Sequence, residues 1–375
     1  MPDAASKPTT ILHLITGLET GGAEQMLARL VTRLDPARCR SVVVSMTGPG
    51  AVGPRLVDAG IELLSLGLPP GQPDPRGLLR LVRIVGAVRP DVLLTWLYHA
   101  DLLGLLAKPF LGDCRLVWNI RCTESLNANV VRRVLVAGSR VPDAVVVNSS
   151  AGQRFHENIG YRPKRWEMIP NGYDTGFFRR DEGARESLRR ELDIAGDAVA
   201  IGLPARYHPM KDHATFLAAA ARLSAAEPKA VFVLAGTGAD TTNRELADAV
   251  AAAGLGGRAR LLGNRGDMVR VYSALDIVTL SSAYGEGHPN VVGEAMSCEI
   301  VCAATDVGDA AELVGPTGAI VPPGDPDALA AAWRGLVDLG PEGRRARGAE
   351  ARGRIARLYD INAITKQYEA LFDSV

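Results

Sequence analysis

The chain has 375 residues, 47% of them hydrophobic, which is too long for one ordinary core and fits two α/β domains. Its 42 Lys and Arg side chains equal its 42 Asp and Glu side chains, so it lacks the basic excess of a nucleic-acid-binding protein. Residues 1–175 carry 20 basic and 15 acidic side chains. This asymmetry would suit an anionic partner for the first half, but two solvated surfaces are the simpler explanation.

The cysteine content and the hydropathy of the chain indicate the cellular compartment in which the protein is expected. The five cysteines are odd in number and contain no Cys-x-x-Cys pair, so neither a disulfide framework nor a zinc site is predicted. No signal peptide is predicted, and the longest apolar run, residues 92–106, is interrupted by His99 and Asp101. We therefore expect a cytoplasmic protein, with attachment to the inner face of a membrane as the alternative.

In the first half, short apolar runs alternate with helical patterns, which is typical of βαβ units and a parallel sheet. Strands are predicted at residues 10–16, 41–45, 61–64, 92–95, 115–119, 144–148 and 166–169. Helices are predicted at residues 23–34, 75–88, 101–110 and 150–160. These elements form one doubly wound domain.

The turn signal Asn171-Gly172 interrupts this alternation, and the charged stretch 179–191 predicts a surface helix in a connection. The alternation then resumes. Strands are predicted at residues 199–203, 231–235, 259–262, 277–280, 300–304 and 319–321. Helices are predicted at residues 212–226, 244–253, 267–274, 289–296 and 326–339, and residues 343–375 are helical in composition. A second Rossmann-like domain follows from this pattern.

The fold class is therefore α/β, with two Rossmann-like doubly wound domains facing each other across a cleft. The N-terminal domain is expected to span residues 1–172 and the C-terminal domain residues 173–355, with a helix in residues 356–375 packing back on the N-terminal domain. Ligands of such sheets bind beyond the carboxyl ends of the strands, so the site is expected there.

The sharpest candidate site is the segment of residues 284–296, which follows a predicted strand and opens a helix. Gly285 and Gly287 allow the backbone to come close to a ligand, and Pro289 suits the first helical turn. The start of a helix attracts anions. Glu286 and Glu294 add two carboxylates, which suit a ligand that presents hydroxyl groups beside its phosphates. The simpler alternative is a helix start with one dipole-matched and one surface glutamate.

An ordered set of motifs across nearly the whole chain resembles the family four retaining glycosyltransferases. Glu286 and Glu294 match the Glu-x7-Glu pattern of that family. Other segments are similar to its glycine-rich loop, interdomain hinge, phosphate-binding stretch and two further short motifs: residues 21–24, 169–174, 206–212, 236–238 and 305–308. The resemblance implies the GT-B architecture, with the acceptor bound mainly by the N-terminal domain and the donor by the C-terminal domain.

The resemblance also implies roles. Glu286 would contact the hydroxyls of the donor sugar, Glu294 the ribose, and His99 would face the sugar. Arg206 and Lys211 would hold the diphosphate, and physical chemistry favours this, because fixed cations stabilise the charge that develops on a leaving diphosphate. The other predicted donor-binding residues are Gly21, Gly22, Gly236, Gly287, His288, Pro289, Asn290 and Val291.

Several candidates have simpler explanations. A lone histidine such as His99 is more often structural, and Gly21-Gly22 could be a plain strand-to-helix turn, since it is not the Gly-x-Gly-x-x-Gly dinucleotide motif. Arg121, which follows another predicted strand, is a weaker candidate for the cleft. The arginines of helix 75–88 could touch anionic lipid, although a solvated face explains them equally simply.

The Asp325-Pro326-Asp327 segment contains an Asp-x-Asp pattern, which binds metal in other glycosyltransferases. It lies directly before a predicted helix, so we predict that Asp325 caps this helix and that the protein uses no metal or other cofactor. One departure from the family is Glu299, which stands where a Gly-x-Pro turn is usual, and its carboxylate is unfavourable to the preceding helix dipole.

These features predict a metal-independent retaining glycosyltransferase. Its donor would be a nucleotide-diphosphate sugar, and its acceptor a glycan, a lipid-linked sugar or a small molecule, in polysaccharide or glycolipid assembly. The alternatives are a phosphorylase or nucleotide-sugar epimerase on a similar fold, and a non-catalytic nucleotide-sugar-binding protein. Contact with a membrane surface would involve the N-terminal domain.

Overall fold

The structure is a computed structural model that describes residues 7–70, 74–121, 123 and 129–375. The described chain divides into two compact units, and the first ends at Gly172. The second unit is Tyr173–Asp360, and the chain then returns to the first unit at Ile361.

The first unit is built on a seven-stranded parallel sheet in the order β3-β2-β1-β4-β5-β6-β7. Its strands are β1 (Thr9–Ile15), β2 (Cys39–Ser45), β3 (Glu62–Ser65), β4 (Val92–Trp96), β5 (Arg115–Ile120), β6 (Ala144–Val147) and β7 (Trp166–Met168). Its helices before the crossover are α1 (Gly22–Val31), α2 (Gly53–Asp58), α3 (Arg76–Val88), α4 (Tyr98–Ala107), α5 (Asn129–Gly138) and α6 (Ser150–Asn158).

The second unit contains a six-stranded parallel sheet in the order β10-β9-β8-β11-β12-β13. Its strands are β8 (Ala200–Pro204), β9 (Val231–Ala235), β10 (Ala259–Leu261), β11 (Ile277–Leu280), β12 (Val301–Thr305) and β13 (Ala319–Val321). Its helices are α7 (Glu182–Glu191), α8 (His213–Ala226), α9 (Arg244–Ala252), α10 (Met268–Ala274), α11 (Asn290–Ser297), α12 (Ala310–Val314), α13 (Pro326–Asp338) and α14 (Gly340–Leu358).

Both sheets are buried on their two faces, which explains why their strands are almost entirely apolar. Successive side chains of a strand point to opposite faces. Leu93 of β4 accordingly lies in one apolar cluster of the first unit and Leu94 in the other. Phe232 and Val233 of β9 divide in the same way between the two clusters of the second unit. Each sheet therefore forms the centre of a three-layer α/β unit, as the alternation of short apolar runs predicts.

The C-terminal helix α15 (Ile361–Ser374) belongs to the first unit, where Tyr368 and Phe372 are buried in an apolar cluster. Arg121, the weaker candidate for the cleft, is buried in the first unit. Its guanidinium donates to the Tyr368 hydroxyl (3.1 Å) and to the carbonyl of Ile169 (3.3 Å), and so connects α15 to the end of β7. The return to the first unit occurs at Ile361 rather than near residue 356, because α14 continues to Leu358.

The strand order places one switch point in each sheet. In the first unit β1 lies between β2 and β4, and in the second β8 lies between β9 and β11. The chain winds in opposite directions on the two sides of such a strand, which leaves an open crevice at the carboxyl ends, where ligands bind in this kind of sheet. The loops after β1 and β4, and those after β8 and β11, are therefore the expected positions for ligand binding.

The predicted strands are confirmed with small shifts at their ends, whereas three helices were not predicted and two others begin at a different residue. Helices α2, α5 and α12 were not predicted. Two of them have six and five residues, too few to show a helical period, and α5 exposes Val130 and Val134 to solvent. Helix α4 begins at Tyr98 rather than at residue 101, and the helix predicted from residue 179 begins at Glu182, where Asp181 caps it.

Candidate functional site

In the second unit, the loops after β8 and β11 are joined directly. The backbone N–H of Ala283 donates to the carbonyl of Met210 (2.8 Å), and the Ser281 hydroxyl donates to the carbonyl of Lys211 (2.7 Å). Gly285 has a left-handed backbone (φ 81°), and a Cβ there would lie 2.5 Å from the Met210 sulfur. The two loops therefore form one surface at the switch point of this sheet, where the sequence predicts the phosphate-binding and sugar-binding residues.

The centre of this surface is an ion pair. Lys211 Nζ contacts Glu286 Oε1, and both side chains are largely buried, with 16% and 10% of their surfaces exposed. The Ser282 hydroxyl donates to the same Glu286 oxygen (2.6 Å). A cation and a carboxylate are thus held side by side, which suits a ligand that carries anionic oxygens next to hydroxyl groups.

Arg206 lies on the same loop as Lys211 and is exposed. Among the residues that the structure describes, its guanidinium makes no hydrogen bond or ion pair. His208 accepts a hydrogen bond from the backbone N–H of Met210 (3.2 Å) and so shapes the short 3-10 turn Pro209–Lys211. The loop therefore carries one cation already paired and one available for an anion.

The second predicted carboxylate, Glu294, lies in the second turn of α11 and is 8% exposed. The hydroxyl of Tyr272, from α10, donates to its Oε2 (2.8 Å). This bond orients the carboxylate within an otherwise apolar cluster. Burial, together with a smaller effect of the Glu294 charge, raises the pKa of the neighbouring Cys298 thiol to about 12, so this cysteine is an inert core residue.

The loop of residues 286–289 before α11, called the donor loop below, packs against the backbone of Gly308 and Asp309. Gly308 has a left-handed backbone (φ 65°), and a Cβ there would lie 2.5 Å from the carbonyl oxygens of both Glu286 and Gly287. The N–H of Asp309 donates to the Gly287 carbonyl (2.8 Å). Only glycine fits at residue 308, which explains the short motif of residues 305–308.

The remaining predicted donor-binding residues of the second unit surround this loop. His288 and Pro289 are buried, Asn290 and Val291 form the first turn of α11, and the helix has no side-chain cap. Gly236, after β9, approaches the loop after β8, since a Cβ there would lie 2.3 Å from the Ala205 carbonyl oxygen. The structure thus brings Gly236 and the donor-loop residues to one end of one sheet.

In the first unit, His99 is exposed in the first turn of α4, at the carboxyl end of β4. Leu97, just before this helix, has φ 72° and ψ 158°, a region used almost only by glycine. The Tyr98 hydroxyl forms a hydrogen bond with Nε2 of buried His156 (2.8 Å). Burial raises the pKa of the adjacent Asp101 carboxyl well above its ordinary value, which favours its neutral form. His99 is therefore exposed between two fixed features: the strained backbone of Leu97 before it and the buried hydrogen bond between Tyr98 and His156.

Gly21 and Gly22 follow β1, whose neighbour in the sheet is β4. Gly21 is the residue before α1 and has an extended backbone (φ −83°), which any residue can adopt. The carboxylate of Glu24 lies against it, 2.3 Å from where a Cβ would be. A side-chain carboxylate therefore lies at this helix start, and the glycine pair allows it to fold back.

The Asp-x-Asp segment is a helix cap, as predicted. Asp325 accepts hydrogen bonds from the backbone N–H groups of Asp327 (3.0 Å) and Ala328 (2.9 Å) at the start of α13. Arg222 forms an ion pair with Asp327 (2.5 Å). Within the described residues, no three His, Cys, Asp or Glu side chains are grouped so that they could hold a metal ion.

The described helices include none that is both long and apolar enough to cross a bilayer. Of the three arginines predicted on one face of α3, Arg76 and Arg83 are exposed. Arg80 instead directs its guanidinium to the carbonyls of Leu66 and Gly67. The basic face is therefore smaller than the sequence pattern indicates. Cys122 lies outside the described residues, and the other four cysteines are buried and free.

Three residues of the site were not identified from the sequence: Ser282 and Tyr272, which bind the two glutamates, and Tyr173, which was assigned only to the hinge. A signal for Ser282 was available, because it lies two residues after a strand whose carboxyl end was expected to form the site. Tyr272 lies in a helix far along the chain from Glu294, and no local pattern connects the two.

Two family models match the chain. The model described as Glycosyltransferase Family 4 matches residues 20–177, and the model described as Glycosyl transferases group 1 matches residues 198–338. Together they span most of the chain. The group 1 match lies within the second unit, and the family 4 match covers most of the first unit and ends at residue 177, just inside the second.

Relatives of known name agree with these matches. The chain is 25% identical over 315 residues to EpsF of Bacillus subtilis (strain 168), which carries a provisional glycosyltransferase name, and the match covers 80% of each chain. It is 27% identical over 229 residues to a GDP-mannose-dependent monoacylated alpha-(1-6)-phosphatidylinositol monomannoside mannosyltransferase of Corynebacterium glutamicum. That match covers 58% of each chain, so this protein spans less than two thirds of that relative.

The fold is also that of a solved structure. HepE of Anabaena, crystallised in complex with UDP, superposes with a TM-score of 0.86 and 24% identity, over 98% of this chain and 100% of that one. At this identity the similarity establishes the architecture, with two Rossmann-like units in the same chain order. The chain therefore belongs to the group 1 and family 4 glycosyltransferases and has the GT-B fold.

Proposed function

We propose that this glycosyltransferase takes a sugar from a nucleoside-diphosphate-sugar donor and transfers it, with retention at the anomeric carbon, to a glycan or lipid-linked acceptor without a metal ion. The observation that carries the proposal is the Lys211–Glu286 pair between the loops after β8 and β11, with exposed Arg206 on the same loop. A ligand with a diphosphate attached to a sugar offers anionic oxygens to these cations and hydroxyls to the carboxylate.

The cations account for the chemistry of the leaving group. When the bond between the anomeric carbon and the diphosphate breaks, negative charge accumulates on the diphosphate, and positioned cations stabilise that state more than the ground state. Lys211 would exchange its contact with Glu286 for a phosphate oxygen, and Arg206 would bind a second one. Glu286, still held by Ser282, would accept hydrogen bonds from the sugar hydroxyls.

Retention requires attack from the face on which the diphosphate departs. We assign no carboxylate the role of covalent nucleophile. The acceptor hydroxyl would form its bond to the anomeric carbon as the carbon–diphosphate bond breaks, and its proton would pass to an oxygen of the departing diphosphate. The diphosphate, held by Arg206 and Lys211, would thus be both leaving group and base.

The relatives support the donor and acceptor classes. HepE binds UDP and, in a second crystal structure, UDP-glucose, and it shares the fold of this chain. The Corynebacterium relative acts on a phosphatidylinositol mannoside, which is a glycolipid, and depends on GDP-mannose. A nucleotide sugar as donor and a glycolipid or glycan intermediate as acceptor are therefore the substrates to test first.

The donor is identified by thermal unfolding with UDP, GDP, ADP and their common sugars. A ligand at a hundredfold excess over its dissociation constant stabilises the folded state by about 2.7 kcal/mol, which raises the melting temperature by several degrees. We expect one base to give this shift and Glu294→Ala to abolish it. No shift with any nucleotide would count against the donor class.

Stereochemistry is tested separately, with the donor so identified. NMR of the product formed early in the reaction should show the same anomeric configuration as the donor. An inverted product would exclude the proposed displacement while leaving the donor assignment intact. Transfer of the sugar to free phosphate as the acceptor would favour the phosphorylase alternative, and isomerisation of the nucleotide sugar without an acceptor would favour the epimerase alternative.

A further inference from the structure

Tyr173 is the first residue of the second unit and is completely buried. Its hydroxyl forms a hydrogen bond with Nδ1 of His288 (2.9 Å) and lies 3.4 Å from the carbonyl oxygen of Pro289. Both partners belong to the donor loop or its junction with α11. A residue at the connection between the units is therefore bonded to the loop that carries the predicted donor site.

The ring of Tyr173 packs closely against His288 and Gly293. It stacks on the imidazole of His288, with 5.8 Å between centroids and 25° between planes. Gly293 in α11 also lies against this ring, where an added Cβ would come within 2.1 Å of the ring carbon Cζ. A glycine inside a helix is destabilising by about 0.5–1 kcal/mol relative to alanine. Its presence here is explained by the close approach of the tyrosine ring.

The backbone of Tyr173 is fixed as well. Its N–H donates to the carbonyl of Tyr359 (2.9 Å), and Tyr173 forms a parallel bridge with Asp360. These residues precede the return of the chain to the first unit. The ring of Tyr359 also meets His288, edge to face, with 5.0 Å between centroids. Both connections between the units therefore adjoin each other and contact His288.

The hydrogen bonds of the hydroxyl restrict the state of the imidazole. A tyrosine hydroxyl has one hydrogen, so it contacts Nδ1 and the Pro289 carbonyl at once only if it donates to Pro289 and accepts from His288. This arrangement requires a proton on Nδ1, and in the neutral ring Nε2 is then a hydrogen-bond acceptor. The tautomer and the plane of the ring are thus set by Tyr173.

We propose that Tyr173 is a positioning residue for the donor loop: through His288 and Pro289 it holds the loop in the shape that binds the nucleotide sugar. The inference rests on the proposed function, because the loop is taken to bind that donor. Tyr173 itself touches no reacting atom. Its hydroxyl is expected to contribute to donor affinity, while its ring serves packing.

The test compares Tyr173→Phe with Tyr359→Phe. The first variant keeps the ring against Gly293 and removes the hydroxyl from His288. The second keeps a ring of the same kind against His288 and removes a hydroxyl that is not bonded to it in the described contacts. Donor dissociation constants, KM and kcat are measured with the nucleotide sugar that stabilises the wild-type protein, together with the melting temperature without ligand.

We expect Tyr173→Phe to raise the dissociation constant and KM about tenfold, as the loss of one buried hydrogen-bonding group does, with little change in kcat. Tyr359→Phe should change these constants less than twofold. In ¹⁵N NMR, His288 should be protonated on Nδ1 in the wild-type protein and should lose this preference in Tyr173→Phe.

The outcomes distinguish a failure of the positioning role of Tyr173 from a failure of the proposed function. If the wild-type protein binds the donor and Tyr173→Phe binds it equally well with an unchanged His288 tautomer, the positioning role is wrong and the proposed function stands. Equal losses in both variants would likewise overturn it, because packing alone would then explain them. If the wild-type protein binds no nucleotide sugar, the proposed function fails, and this inference with it.

Discussion

Lys211 and Glu286 form an ion pair that joins the loops after two neighbouring strands of the second sheet, and both side chains are shielded from solvent. In this pair the two charges neutralise each other. Under the proposed function each residue would have a second role, because a bound diphosphate would offer the lysine a stronger anionic partner.

Lys211→Met should lower kcat about 10²- to 10³-fold, as the removal of one electrostatic contact to the transition state does. It should also lower the melting temperature, because Glu286 then lies buried without its cation. The double variant Lys211→Met/Glu286→Gln should recover the melting temperature but not the activity. Lys229→Met, which removes an exposed lysine with 70% of its side chain in solvent, serves as the control. Activity of Lys211→Met within threefold of wild type would refute the role.

Tyr272→Phe should weaken binding of the nucleoside diphosphate about tenfold, because the hydroxyl that orients the Glu294 carboxylate is lost. The ring stays in place, so the melting temperature without ligand should change little. Isothermal titration with the nucleotide identified by thermal unfolding measures the effect. Unchanged affinity in Tyr272→Phe, combined with a strong loss in Glu294→Gln, would show that the carboxylate needs no such orientation.

Glu299→Gly should stabilise the protein by about 1 kcal/mol, or roughly 2–4 °C. Glu299 follows α11 with φ 62°, a left-handed backbone that is unfavourable for any residue except glycine. Its ion pair with Arg352, at 3.9 Å, is too long and too exposed to compensate. Thermal unfolding measures the gain, and Glu299→Gln separates the backbone effect from removal of the charge next to the helix end. A lower melting temperature for the glycine variant would contradict the strain.

Stability should fall as the pH decreases from about 6.5 to 4. Burial lowers the pKa of His156 to about 4, because the charged imidazolium would lose its hydration, and the hydrogen bond to the Gly152 carbonyl (2.6 Å) offsets only part of this effect. The unfolded chain therefore takes up a proton first, and stability is fully present only above the unfolded pKa. Urea unfolding of His156→Gln should show a slope shallower by about 1.4 kcal/mol per pH unit in this window. Equal slopes for wild type and variant would exclude His156 as the origin.

Treatment with EDTA should leave the initial rate unchanged. The acidic pair that resembles a metal motif is already engaged, since Asp325 caps α13 and Asp327 faces Arg222. Asp325→Ala should lower stability by about 1 kcal/mol, the usual effect of removing an N-cap, with little change in kcat. A rate that disappears with EDTA and returns with Mg²⁺ or Mn²⁺ would show that the reaction needs a metal after all.

The strands were predictable because a parallel sheet buried on both faces requires short, continuous apolar runs, and turn residues end each run. β9 and β11 have the same bounds in the sequence prediction and in the structure. The segments that were missed are those in which local pattern carries little information. Helices such as α2 and α12 are too short for a helical period to appear.

The candidate site was predictable in its loops but not in its internal bonds. Residues after the carboxyl ends of β8 and β11 had to meet, because the strand order of a doubly wound sheet makes these strands neighbours. The partners of the carboxylates could not be derived in this way. Tyr272 reaches Glu294 from a helix on one face of the sheet, and such a contact depends on packing between elements rather than on sequence spacing.

The position of α15 has a consequence for synthesis on the ribosome. The first 172 residues emerge before the second unit, but the apolar surface that Tyr368 and Phe372 cover stays open until α15 has followed the second unit out of the exit tunnel. The second unit, contiguous from Tyr173 to Asp360, can complete its core before that moment. The unit that is synthesised first is thus completed after the second unit, and its uncovered apolar surface is prone to aggregation in the interval.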